Sequence, residues 1–174
     1  MTTKIGRMFC GFSVLFLALI LAATSSGIAD ENPRGSVTNL PLPRFVSLKA
    51  SEGNVRRGPS LAHKIDWVFK HRNMPLQIVG EYGNWRRIKD RDGAGGWMHY
   101  SLLSGSRMVI INGDRTPLYI LADEKSKKSA EAEDGALAKL EDCSLHWCFV
   151  RADNAKGWIP KSALWGVDED EIRN

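Results

Sequence analysis

After its first two dozen residues this chain has no apolar run of membrane length and no stretch with a sustained helical period. It holds only three cysteines, at positions 10, 143 and 148. Each shortage excludes something. Without crossover helices a parallel α/β sheet cannot be wound. Cys143 and Cys148 fall two ligands short of a closed zinc site, His146 beside them would still leave it one short, and no paired Cys or His follows at ligand spacing. A four-residue gap between the two thiols is not the spacing of a redox pair. No glycine-rich phosphate loop, no serine elbow and no spaced carboxylate pair occurs. His63, His71 and His99 are scattered without a partner pattern. These shortages point to a protein that carries no metal or cofactor and is not an enzyme.

The one long apolar run lies at the start. Lys4 and Arg7 precede Met8 to Ala23, and small residues follow, ending in Gly27-Ile28-Ala29 before Asp30. Basic, then apolar, then small is the order of a secretory signal peptide, so residues 1–29 are expected to be removed after Ala29. The alternative is an uncleaved anchor, for which the run is short against a hydrocarbon core of about 30 Å. Without residues 1–29 the net charge falls from +4 to +2 and two cysteines remain. The product is expected to be exported and soluble, with no membrane span.

Residues 30–43 contain Pro33, Gly35, Pro41 and Pro43 with little apolar content and read as a flexible or extended linker. Beyond them the chain repeats. Trp85-Arg86-Arg87-Ile88 falls on Trp147-Cys148-Phe149-Val150, Gly96-Trp97-Met98 on Gly157-Trp158-Ile159, and Leu103 on Leu164, at offsets of 61 to 62. The copies span residues 44–104 and 105–167, and residues 168–174 form an acidic tail with Asp168-Glu169-Asp170-Glu171. Within each copy, short apolar segments alternate with turns such as Tyr82-Gly83-Asn84 and Arg91-Asp92-Gly93. That pattern predicts an all-β protein of two small barrels. Glu124 to Lys139, charged and rich in alanine, reads as a solvated loop.

Asn54-Val55-Arg56-Arg57-Gly58-Pro59-Ser60, Gly83-Asn84-Trp85-Arg86-Arg87-Ile88 and Gly95-Gly96-Trp97-Met98 resemble bacterial Src-homology-3-like (SH3b) domains. The second copy resembles a divergent member: it lacks the opening motif and has Thr116-Pro117-Leu118-Tyr119 there, but Gly157-Trp158-Ile159-Pro160 fits the closing strand. The resemblance implies two tandem SH3-like β-barrels and a binding role in the bacterial cell envelope, in the periplasm or outside the cell. Peptidoglycan or another anionic envelope polymer is the expected partner. The alternative is a periplasmic protein–protein interaction or scaffold protein, such as one accessory to a cell-wall hydrolase. Nucleic acid is not an expected partner, since the chain is exported.

Alternation along Trp85 to Ile88 turns Ile88 inward and Trp85 to the opposite face, where an indole beside a turn can serve as a ligand platform. The alternative is that Trp85 covers a loop of its own barrel. Trp97 and Trp158 read as core or inter-strand packing. The first copy carries eleven Lys and Arg against five Asp and Glu, a net of +6, whereas residues 105–174 carry a net of −3. Arg56, Arg57, Arg86 and Arg87 lie by the motif turns, and their guanidinium forks suit carboxylates. With Tyr82 and Trp85 they make up the expected ligand-binding set. Cys143 and Cys148 flank Ser144-Leu145-His146-Trp147 where the first copy has its Tyr82 turn, a spacing that lets them face each other across a hairpin as a disulfide.

Overall fold

Short alternating segments separated by Gly, Asn and Asp become strands, and the computed structural model, which describes residues 33–174, places fourteen of them in two sheets. The first sheet contains β1 (Arg44–Leu48), β2 (Gly53–Arg56), β3 (Ile65–Phe69), β4 (Pro75–Tyr82), β5 (Trp85–Lys89), β6 (Gly95–His99) and β7 (Leu103–Ser104). The second contains β8 (Met108–Ile111), β9 (Thr116–Tyr119), β10 (Lys128–Ala132), β11 (Leu137–Cys143), β12 (Trp147–Ala152), β13 (Ala155–Pro160) and β14 (Leu164–Trp165). The strand orders are β3-β2-β6-β5-β4-β1-β7 and β10-β9-β13-β12-β11-β8-β14, so each strand of the second sheet occupies the place of its counterpart seven earlier. The repeat seen in the sequence is therefore a repeat of topology. The expected leader, residues 1–29, lies outside the described residues.

Each sheet surrounds its own core. In the first, Leu48, Val55, Phe69, Leu76, Ile78, Ile88 and Met98 form one buried cluster, with Leu103 packed against it. Phe69 and Leu103 belong to opposite edge strands, which a flat sheet of seven strands would hold about 29 Å apart at ordinary strand spacing. Both edges reach one core because the sheet curls into a barrel. The second core gathers Val109, Ile111, Leu118, Leu140, Val150 and Ile159 with both half-cystines. Close strand approach depends on glycine at one place in particular. Gly96 has φ +153°, and a Cβ there would meet the Arg56 carbonyl oxygen at 2.6 Å and Val55 Cγ1 at 2.9 Å.

Two segments depart from expectation, and a third gains a position that the sequence did not assign. Residues 33–43 are folded instead of forming a linker: Gly35 N–H donates to Leu40 O, Leu42 N–H to Pro33 O, and Leu42 enters the first core. What fastens this turn is Glu81, whose fully buried carboxylate accepts from the N–H groups of Val37 and Thr38, the Thr38 hydroxyl and Arg44. The span Glu124 to Lys139 holds all of β10 and the start of β11. As an edge strand, β10 needs few apolar side chains, and its charges discourage pairing with another sheet. The acidic tail is docked as well: Cys143 and Arg173 exchange both backbone hydrogen bonds, and the buried Lys161 donates to the carbonyls of Glu169 and Glu171. Among the described residues no helix is long and apolar enough to cross a membrane.

Candidate ligand-binding face

Strand β5 sets the geometry of the site. Ile88 is fully buried in the core, so the pleat turns Arg86 inward with it and sends Trp85, Arg87 and Lys89 outward. Register then fixes their neighbours. Trp85 lies opposite His99 and Arg87 opposite Trp97 on β6, and Trp97 in turn lies opposite Arg56 on β2. The outward face of the first barrel thus carries a cross-strand row in which Trp97 sits between two arginines. Beside it, the Trp85 and His99 rings meet edge to face at 5.5 Å, and His99 lies 5.0 Å from the Tyr100 ring. Tyr82, paired with Trp85 across the β4–β5 turn, is exposed.

The expected ligand-binding set divides on this geometry. Trp85, Arg87, Arg56 and Tyr82 share the outward face. Arg56 also staples the loop after β2 by donating to the carbonyls of Leu61 and His63. Arg57 is exposed and paired with Asp66 at 2.7 Å. Arg86 belongs to the interior: it is 7% exposed and donates to the carbonyls of Gly83 and Trp85. Its guanidinium also lies over the Tyr100 ring, with Nε 3.5 Å from Glu81. It supports the β4–β5 turn and is not free to pair with a ligand. Trp97, read from the sequence as packing, stands on the outward face between strands. The signal was available, since the fully buried Met98 forces its neighbour out.

Glu81 anchors this constellation from behind. Burial alone would raise its pKa, but hydrogen bonds from Thr38, Arg44 and Val37 outweigh burial and hold it at about 2. The carboxylate therefore stays charged and fixes Arg44 and Arg86 beneath the site.

The same face of the second barrel has different chemistry. Trp158 pairs with Phe149 and Tyr119 where Trp97 pairs with Arg87 and Arg56, and Trp147 pairs with Pro160 where Trp85 pairs with His99. Both arginine positions of the first copy are aromatic in the second. Phe149 meets Trp158 edge to face at 5.5 Å, and Tyr119 meets Trp147 at 5.7 Å. Cys143 and Cys148 face each other at the end of the β11–β12 hairpin, with Cα atoms 4.1 Å apart, and are joined by the expected disulfide. Among the described residues no three His, Cys, Asp or Glu side chains gather where they could hold a metal ion.

Comparison with known proteins adds the family. A family model described as "Bacterial SH3 domain" matches twice, over residues 49–105 and 112–166. No curated protein matches the chain. Among solved structures, NlpC2 from Trichomonas vaginalis is 11% identical with a TM-score of 0.33, the match covering 72% of this chain and 50% of that one. An NlpC/P60 family protein from Bacillus cereus is 14% identical with a TM-score of 0.33, covering 70% and 55%. The match thus spans only about half the length of these structures, and likenesses this weak assign no activity or partner. The family model covers well over half of the residues, with a copy in each barrel, and the chain belongs to the bacterial SH3 domain family.

Proposed function

We propose that this protein is an exported, non-catalytic binding module of the bacterial cell envelope, and that its first barrel holds peptidoglycan or another anionic wall polymer on the face of Trp85, Trp97, Arg56 and Arg87. Bacterial SH3 domains are typically cell-wall binding modules. The observation that carries the finer reading is the outward row Arg87–Trp97–Arg56 beside Trp85. Indole faces stack on the apolar faces of sugars, while guanidinium groups pair with carboxylates of stem peptides or glycans. The net charge of +6 on this copy favours the same class of ligand.

The test is retention of the protein by purified peptidoglycan, comparing wild type with the double variant Trp85→Ala, Arg87→Ala. Retention is expected to fall at least tenfold and to weaken with added salt. Equal retention of the two proteins overturns the reading. Arg87 is the partner to remove, since replacing the buried Arg86 would disturb the fold.

A second reading, docking of an envelope protein, draws on edge strand β3. Ile65, Trp67 and Val68 are 44%, 50% and 40% exposed there, an unusual apolar display for a free edge. A partner that adds a strand to this edge would protect the β3 amides from hydrogen exchange.

A further inference from the structure

The second barrel carries a groove of about 740 Å³ that the wall-binding face does not use. Its lining includes Leu145 and Trp147 from the disulfide-closed hairpin, Pro160 at the end of β13, Val167 and Glu169 from the C-terminal segment, and Glu124 from the β9–β10 connection. Two local devices hold walls of this groove. The Cys143–Cys148 bridge closes the loop that presents Leu145, which is 56% exposed. On the other wall, the tail is fastened by Arg173 against Cys143 and by Lys161.

The lining carries two carboxylates, Glu124 and Glu169, together with Lys161 and the imidazole of His146. Lys161 is part of the lining, but its ammonium turns into the protein and donates to the carbonyl oxygens of Glu169 at 2.9 Å and Glu171 at 2.8 Å. Among the described residues, no ion pair engages the carboxylates of Glu124 or Glu169. Nearby Asp168 has its pKa raised above its ordinary value, first by burial and then by the charge of Glu171, against the opposing pull of Arg107 and Lys161. An apolar strip of Leu145, Trp147, Pro160 and Val167 is thus edged by two free carboxylates from separate segments of the chain.

We propose that this groove is a second binding site, and that its ligand is an extended polypeptide segment bearing arginine or lysine among apolar residues. An extended chain alternates its side chains, so it can set cations against Glu124 and Glu169 while burying apolar groups on the strip between them. A polyanion suited to Arg56 and Arg87 is repelled here. The two barrels then take ligands of opposite charge, and the chain joins a wall polymer to a basic segment of a protein partner.

Fluorescence anisotropy with the full chain tests this. The probes are a labelled library of short apolar peptides with two fixed arginines, the same library with glutamates in place of arginines, and a soluble muropeptide. The arginine library is expected to bind saturably. Binding should weaken about tenfold in Glu124→Gln, Glu169→Gln, as loss of two partly exposed charge pairs implies. Leu145→Ser, on an exposed loop, should weaken it several-fold. The glutamate library should not bind, and Trp85→Ala, Arg87→Ala should leave the peptide affinity unchanged. Absence of binding by wild type, equal binding of the two libraries, or displacement of the arginine peptides by the muropeptide overturns the proposal. Because the Trp85 variant reads only the first barrel, failure here is distinguishable from failure of the wall-binding reading.

Discussion

Two neighbouring arginines with the same side chain do opposite jobs, and the difference follows from one step of the strand pleat. Arg86 points inward to Glu81 and Tyr100, whereas Arg87 points to solvent beside Trp97. Arg86→Ala leaves the carbonyls of Gly83 and Trp85 without their donor and removes the guanidinium packed over Tyr100, so it is expected to cost about 2 kcal/mol, while Arg87→Ala changes stability by less than about 0.5 kcal/mol. Thermal unfolding of the two variants separates these outcomes. Glu81 adds a pH signature. Its carboxyl has an unfolded value near 4.5 and a folded value near 2, a depressed pKa. Its contribution is therefore complete above about pH 4.5 and is lost as the pH falls toward 2. Glu81→Gln is expected to lower the melting temperature at pH 7, and the gap from wild type should close as the pH drops through that window. A gap independent of pH would show that Glu81 acts by shape alone. The sequence could place Arg86 inside, since the alternation that turns Ile88 inward turns Arg86 with it. It concealed why a charge is tolerated there, because the compensating acid and the Thr38 turn are separated along the chain and meet only in the fold.

At the scale of strands and hairpins, legibility tracks the apolar pattern. β5, β6, β12 and β13 sit mid-sheet, alternate cleanly and could be read directly. β10 could not, because an edge strand with Lys128, Ser129 and Glu131 exposed carries no such alternation. The disulfide was readable from the hairpin spacing of its cysteines. It closes a loop so short that chain entropy gives only about 2 kcal/mol. Cys143→Ala, Cys148→Ala should therefore lower the stability of the second barrel by roughly that amount plus the cost of two small buried cavities, leaving the first barrel unaffected. Differential scanning calorimetry, with aromatic signals from each copy, assigns the loss. Gly96 makes a sharper prediction. Its positive φ and its approach to the Arg56 carbonyl mean that Gly96→Ala should cost about 3 kcal/mol by prying β2 from β6. Gly105 meets nothing within 4 Å, and Gly105→Ala should be neutral or slightly stabilising.

At the scale of the whole described molecule, the two barrels are joined through side chains that the sequence assigns to neither. Phe45 on β1 meets Trp165 on β14 edge to face at 5.3 Å, and the Arg107 guanidinium lies over the Phe45 ring at 5.5 Å. Arg107 also donates to the Gly166 carbonyl and pairs with Glu171. Across the same junction Arg91 reaches Asp134 at 3.4 Å. Each copy alone explains Phe45 or Trp165 as ordinary strand residues, so pattern reading within a repeat has no means of finding their contact. Because Glu171 in the tail holds Arg107, and Arg107 caps Phe45, the segment that walls the groove of the second barrel also secures the first barrel against it. Phe45→Ala removes the ring that both Trp165 and Arg107 contact, while the two cores stay separate and intact. The variant is expected to keep both folds but to let the barrels reorient independently. Backbone relaxation by NMR should then report two shorter rotational correlation times where wild type has one. Proteolysis between Ser104 and Arg107 should also speed up, because the connection is protected chiefly by the docking it spans. A single unchanged correlation time in Phe45→Ala would show that the remaining contacts, Arg91 with Asp134 foremost, fix the barrels without it.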